Sequence, residues 1–431
     1  MPKLTVCLIV FCITLIAFIF AGKRYTLAAA SVAVMTLMIL TGCLSAEGAL
    51  NCFANSNLIL MGSMFVVSAA LNRTQMMHKV TRFICRIAKG SFNKIMIGYV
   101  LLAVIMISFV PSVIVTITVV CPLAVEVAKE LKVSPSKLIY PITVAGIGSC
   151  MVIPTNMVFT TVAEVNGFLE SFGYAAGMMS ARDFILIKAP GAIAVLLLAI
   201  FVVPRLAPNV PLSKFEITKS AAGGEQKKLD PVREIIGYAT FIVVLLGLIF
   251  TKKIGIPQWQ IALTGAVVIA FSGILTPKEM VSSMNISMLL LFISSLSIGT
   301  ALSETGLAAV IGDKLSTMIY AVNNNYIAGL LLFLIPFVLT QIMMNNAVMA
   351  IFKPLYAMLC ASMGINPIGV MMIVTVAPMT SFLSPMATTA MPLAMSLGHY
   401  NQKDVLKMGV LPGLAVMVLT VFMAMTLYPI Y

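Results

Sequence analysis

Residues 95–129 read IMIGYVLLAVIMISFVPSVIVTITVVCPLAVEVAK. Two apolar runs, Ile95 to Val110 and Val113 to Lys129, meet at Pro111 and Ser112 with no charge between them. If both runs crossed a bilayer completely, that turn would lie among headgroups without charge to anchor it. A re-entrant hairpin, entering and leaving on one side, is the expected alternative. The rest of the chain supplies the bilayer: of 431 residues 61% are hydrophobic and 10% charged, against about 25% charged in a soluble domain. Its other apolar runs are about 16 to 20 residues long, the length of a helical crossing, without the alternation of a barrel. Soluble enzymes, nucleic-acid binders and disulfide scaffolds are excluded, and the eight scattered cysteines are expected to pack as small apolar residues.

Upstream of the hairpin lie three ordinary spans, Leu4 to Ala21, Tyr25 to Leu44 and Asn57 to Leu71. The first resembles a signal-peptide core, but Lys23 and Arg24 lead straight into the second span, so it is expected to remain as a helix. Between Arg73 and Lys94, Arg73, Lys79, Arg82, Arg86 and Lys89 alternate with bulky apolar residues, the pattern of a helix lying in the membrane interface. Downstream, Leu138 to Phe168 is interrupted near its middle by Gly146, Gly148 and the cluster Pro154, Thr155, Asn156. Such a segment is expected to be one discontinuous helix whose freed backbone groups line a polar cavity. Asp183 to Pro204 closes this half, and Arg205 to Arg233 is the single hydrophilic linker.

Everything after the linker repeats what precedes it. Ala70, Leu71 and Thr74 recur as Ala301, Leu302 and Thr305, 231 residues on, and Pro122 and Pro135 recur as Pro354 and Pro367, 232 residues on. Pro154 pairs with Pro385, and Pro190-Gly191 with Pro412-Gly413. The second copy is then expected to hold spans Ile235 to Phe250, Ile261 to Leu275 and Met288 to Leu302, followed by an interfacial stretch to Asn325, a hairpin, a broken helix and a final span. The fold class that follows is an all-α polytopic membrane protein of two inverted repeats, each of five transmembrane helices with a re-entrant hairpin and a broken helix. The divisions are 1–204 and 235–431, joined by a cytoplasmic linker at 205–234. Five crossings per half put both termini on one side and 20 of the 27 Lys and Arg on the other, so both termini are expected outside a plasma membrane.

Inverted repeats with hairpins and mid-membrane breaks suit alternating access around a central site. The tips and breaks carry hydroxyls and amides: Ser112 and Thr116, Thr155 and Asn156, Asn345 and Asn346, Ser384 and Thr388. Any one of these hydroxyls could equally bond its own helix backbone; four clusters at repeat-related positions favour a site.

At these tips the chain resembles the divalent anion to sodium symporter family, the di- and tricarboxylate carriers. That family has a Ser-Asn-Thr motif at each hairpin tip, ten residues before a proline, and a Gly-rich Thr-Pro-type motif in each broken helix. Here Ser112 stands ten residues before Pro122, and Met344, Asn345 and Asn346 begin ten residues before Pro354. The resemblance covers nearly the whole chain. It implies a secondary carrier of small organic anions, working by displacement of a hairpin-bearing domain, as a homodimer, with sodium or a proton as coupling ion and no other cofactor. It further implies that Ser112, Asn345 and Asn346 contact substrate or cation, with Thr155, Asn156, Ser384 and Thr388 opposite. Val113 and Ile114 replace the Asn and Thr of the first motif, so a smaller, less charged or partly apolar anion is expected.

Lys353 precedes Pro354 inside an apolar helix, where a charge costs about 2.5 to 3.5 kcal/mol at mid-span. Its ammonium is expected to pair with the anion or to stand in for a cation, unless it snorkels to the outer interface. Two other classes remain open. One is a cation/proton antiporter or oxyanion exporter; an antiporter would want paired carboxylates at the midplane, whereas Glu126, Glu164, Glu304 and Asp313 are expected toward helix ends. A membrane-embedded enzyme would need a constellation such as HExxH or GxSxG, and none occurs.

Overall fold

A computed structural model describes residues 3–20, 26–75, 92–109, 113–130, 132–212, 229–284, 286–307, 321–384 and 390–431, with positions 310, 317, 319 and 388. The described residues form helices and no strands. In the first half these are α1 (Lys3–Phe20), α2 (Leu27–Leu40), α3 (Ala46–Phe53), α4 (Ser56–Arg73), α5 (Phe92–Phe109), α6 (Val113–Glu130), α7 (Ser136–Ser149), α8 (Asn156–Ser171), α9 (Ala181–Phe201) and α10 (Val203–Leu206). The second half holds α11 (Pro231–Ile249), α12 (Thr251–Ile254), α13 (Gln258–Ser272), α14 (Pro277–Ser283), α15 (Ile286–Glu304), α16 (Asn325–Thr340), α17 (Asn345–Met363), α18 (Ile368–Met379), α19 (Ala390–Gly398) and α20 (Gln402–Leu427). Seven helical segments among the described residues are long and apolar enough to cross a membrane. The chain is a polytopic, all-helical membrane protein.

Among the described residues the expected spans are present as helices, with short helices added. The short helices α3 and α14 were not expected, although Ser45 and Thr276 cap them and stand 231 residues apart, the repeat interval. Thr276 and Glu279 also form a capping box, a signal legible in sequence. Arg233 and Glu234, expected in the linker, lie in the first turn of α11 because Pro231 is suited to a helix start. The corresponding last spans α9 and α20 both open with capping boxes, Ser180 with Asp183 and Asn401 with Asp404. The basic stretch 76–91, the tip 110–112 and the linker from 213 to 228 lie outside the described residues.

Burial sorts the helices. In α7 every residue from Leu138 to Ser149 is buried, and in α18 every residue from Ile368 to Pro378. These are the central helices, apolar all round because protein surrounds them. By contrast α9, α11, α13, α16 and α20 expose large apolar side chains such as Ile193, Val243, Phe271, Ile335 and Phe422, a surface suited to lipid.

Two groups of helices pack internally. One joins α4 to α13 and α11, and α15 to α2 and α3. The other joins α7 to α5, α6 and α9, joins α18 to α16, α17 and α20, and pairs α9 with α20. The groups meet where α8 lies on α4 and α15, and where α17 lies on α15. The repeats interleave throughout: α4 with α13 mirrors α15 with α2, and α8 with α17 mirrors α19 with α6.

Contacts between helix ends agree with the crossing count. On one face Gln75 donates from its backbone to Glu234 (3.3 Å), Arg233 to the Gly273 carbonyl (3.2 Å), and Ser134 to the Val210 carbonyl (2.7 Å). On the other, Ser45 donates from its backbone to Glu304 (2.8 Å), Asn57 to Glu170 (3.3 Å), and Tyr428 to Asp183 (2.8 Å). Each contact joins ends that five oppositely directed crossings per half assign to one side.

Candidate functional site

The first break spans 150–155. α7 stops at Ser149, Met151 takes a left-handed φ of 65°, and Pro154 forces the chain before it out of helix. Gly146 and Gly148, expected within the interruption, belong to α7. Thr155, buried at the start of α8, donates its hydroxyl to the Ser108 carbonyl near the tip of the first hairpin. Asn156 follows, 2% exposed, and neither atom of its side-chain amide has a partner. A buried amide left unpaired costs about 1 to 3 kcal/mol, and here it sits beside the free backbone N–H groups that open α8.

The second break is held to its own hairpin by a denser set of bonds. Thr340, at the end of α16, donates to Asn345 Oδ1 (2.7 Å) and lies 2.9 Å from the Pro378 carbonyl. Asn345 Nδ2 reaches Ser381 (3.2 Å), and Gln341 Nε2 lies 3.1 Å from the Phe337 carbonyl and 3.4 Å from that of Thr380. Thr340 and Ser108, the residues that tie each hairpin to its break, are 232 apart and so occupy equivalent repeat positions. That spacing could have identified both.

The expected site residues divide accordingly. Thr155 and Asn345 take part in the hairpin-to-break ties. Thr116 and Ser384 are buried, and neither is without a partner. Thr388 accepts the backbone N–H of Ala390 and so caps α19, whereas Asn346 is exposed and stands outside the cluster. Ser112 lies outside the described residues, as do Asp313 and the side chain of Glu126.

Lys353 does not reach an interface. It is fully buried, and its Nζ lies 2.7 Å from Oε2 of Glu164. Glu164, expected toward a helix end, sits at the middle of α8, because the break moves the start of that helix to Asn156. Sequence reasoning also passed over Lys188, 4% exposed on α9. Its signal was the one used for Lys353, a lysine inside an apolar span. Six of the seven cysteines in the described residues are buried and none is bridged; Cys12 is exposed.

A cavity of about 950 Å³ opens beside the first break, with Pro154, Asn57, Asn166, Glu170, Asp183 and Lys253 in its wall. It lies on the face shared by Asn57 and Glu170. Among the described residues no cluster of His, Cys, Asp and Glu has the makeup of a metal site. What the arrangement offers is a pair of kinked helices with half-buried amides and hydroxyls, suited to bind a small solute through partial charges.

Comparison with known proteins agrees. Residues 15–375 match the model of the CitMHS citrate transporters. An uncharacterized transporter of Haemophilus influenzae is 24% identical over 405 residues, 89% of this chain and 83% of its own length. A sodium-dependent high-affinity dicarboxylate transporter of Caenorhabditis elegans is 29% identical over 144 residues, 33% of this chain and 25% of its own. Among solved structures, Neisseria gonorrhoeae MtrF superposes with a TM-score of 0.63 at 12% identity, covering 99% of this chain and 95% of that one. Alcanivorax borkumensis YdaH gives 0.60 at 13%, covering 99% and 97%. The similarity expected from the hairpin motifs is upheld.

Proposed function

The chain belongs to the citrate transporter family, and from that premise we propose that it is a secondary active carrier of small organic anions of the di- and tricarboxylate type. Transporters of this family are not enzymes. The observation that carries the proposal is the first break: a half-helix N-terminus and the unpartnered, buried amide of Asn156, two residues after Pro154, which lines the cavity. Donors left unsatisfied by the protein are what an incoming carboxylate would satisfy.

The finer reading has the two repeats, 1–204 and 235–431, moving the hairpin-bearing group against α4 and α15 in an elevator-type exchange of access. It places the protein in the plasma membrane as a homodimer, termini outside, with sodium or a proton driving symport. An antiporter would favour paired acids; the acid at mid-helix here, Glu164, is matched by a lysine instead.

Uptake of labelled citrate and succinate into liposomes holding the purified protein tests this, run with and without sodium and with an imposed pH gradient. Accumulation of at least one anion, stimulated by one of the two gradients, is expected. No uptake of either under any condition would overturn the proposal.

A further inference from the structure

The start of α7 touches the chain just after α10, where Ser136 donates to the Pro208 carbonyl, and its end touches α9, where a Cβ on Gly148 would come within 2.6 Å of Val195. α7 and α9 are therefore antiparallel. Lys188 precedes Val195 by seven residues, about two turns on the same side of α9. Two turns back carry that side past the end of α7 and up to the break at 150–155. By that register Lys188 stands level with the break that follows Ser149, the last residue of α7.

Lys188 is all but inaccessible, and among the described residues it has no ion-pair or hydrogen-bond partner. The other deeply buried lysine differs in this respect, since Lys353 is neutralised by Glu164. Two more polar groups near the break are unsatisfied. One is the Asn156 amide; the other is the Thr420 hydroxyl, which faces Gly191 one turn along α9 from Lys188. A lysine buried in a membrane span with no counter-charge is costly to hold as an ammonium and marks a functional site, and an arriving carboxylate would supply the missing charge.

We propose that Lys188 is the charge partner for a carboxylate of the transported anion at the first break, with the Asn156 amide donating beside it. This rests on the anion-carrier reading and deepens it. The second repeat, its lysine already paired, would receive the less charged end of the substrate. Recognition is then polarised: one carboxylate is held by a full charge, the remainder by partial charges.

The test uses the full chain. Lys188→Met keeps the unbranched stem up to Cε and removes the charge; Lys188→Arg keeps the charge. Uptake of labelled citrate and succinate is measured in liposomes, and thermal unfolding of the purified protein is followed with and without each anion. The Met variant is expected to raise KM at least about tenfold and to lose stabilisation by the anions, while melting no lower than wild type in their absence. The Arg variant is expected to retain stabilisation. A Met variant with unchanged KM and undiminished stabilisation overturns the assignment. So does one that keeps its KM but newly requires sodium, since the ammonium would then be replacing a cation. If the wild-type protein neither transports nor is stabilised by either anion, the anion-carrier reading fails, and the role of Lys188 fails with it.

Discussion

Lys353 and Glu164 lie 189 residues apart in sequence and 2.7 Å apart in space, joining the second arm of one repeat's hairpin to the second half of the other repeat's broken helix. Both helices also lie on α15, and Pro354 touches the position of Gly299 in it. The pair thus ties together two helices, one from each repeat, that both pack on α15.

Removing one member leaves a bare charge in an apolar interior. Lys353→Met or Glu164→Gln alone is expected to lower stability by about 3 to 5 kcal/mol, whereas the double change Lys353→Met with Glu164→Leu recovers most of it. Thermal unfolding in detergent measures this. Single variants as stable as wild type would show that the pair contributes nothing to the fold.

Asn156 and Asn345 should respond in opposite ways. Asn156 makes no internal hydrogen bond, so Asn156→Leu is expected to leave the melting temperature equal or higher while reducing uptake. Asn345 bonds Thr340 and Ser381, and Asn345→Leu is expected to cost about 1 kcal/mol or more. Loss of stability in the Asn156 variant would mean that its amide has an internal partner after all.

A close approach fixes Gly409. A Cβ there would lie 2.5 Å from the Tyr140 hydroxyl and 2.6 Å from the Phe382 carbonyl. Gly409→Ala is therefore expected to cost about 1 to 3 kcal/mol. Adding Tyr140→Phe should not restore it, because the backbone carbonyl at the second break remains. Full rescue, read by melting temperature, would contradict that geometry.

Sidedness is open to chemical labelling. In a cysteine-free background, cysteines introduced at Glu47 and Lys253 are expected to react with an impermeant thiol reagent on intact cells, and those at Lys278 and Arg233 only after permeabilisation. The reverse pattern would invert the assigned orientation while leaving the fold intact.

Much of this was legible along the chain. Apolar run length, the Pro111-Ser112 and Pro154-Thr155-Asn156 interruptions, and the 231 to 232 residue recurrence sufficed for the hairpins, the breaks and the inverted halves. These features depend on local backbone hydrogen bonding, which lipid makes obligatory and which each segment must satisfy within itself. Tertiary structure alone decided that Lys353 would meet Glu164, that Lys188 would be buried with no ion-pair partner among the described residues, and that Asn346 would turn away while Asn345 turned in. Which way a helix rotates about its axis, and which distant segment it then faces, follows from packing among many segments at once; in helices apolar on every side, no periodicity records it.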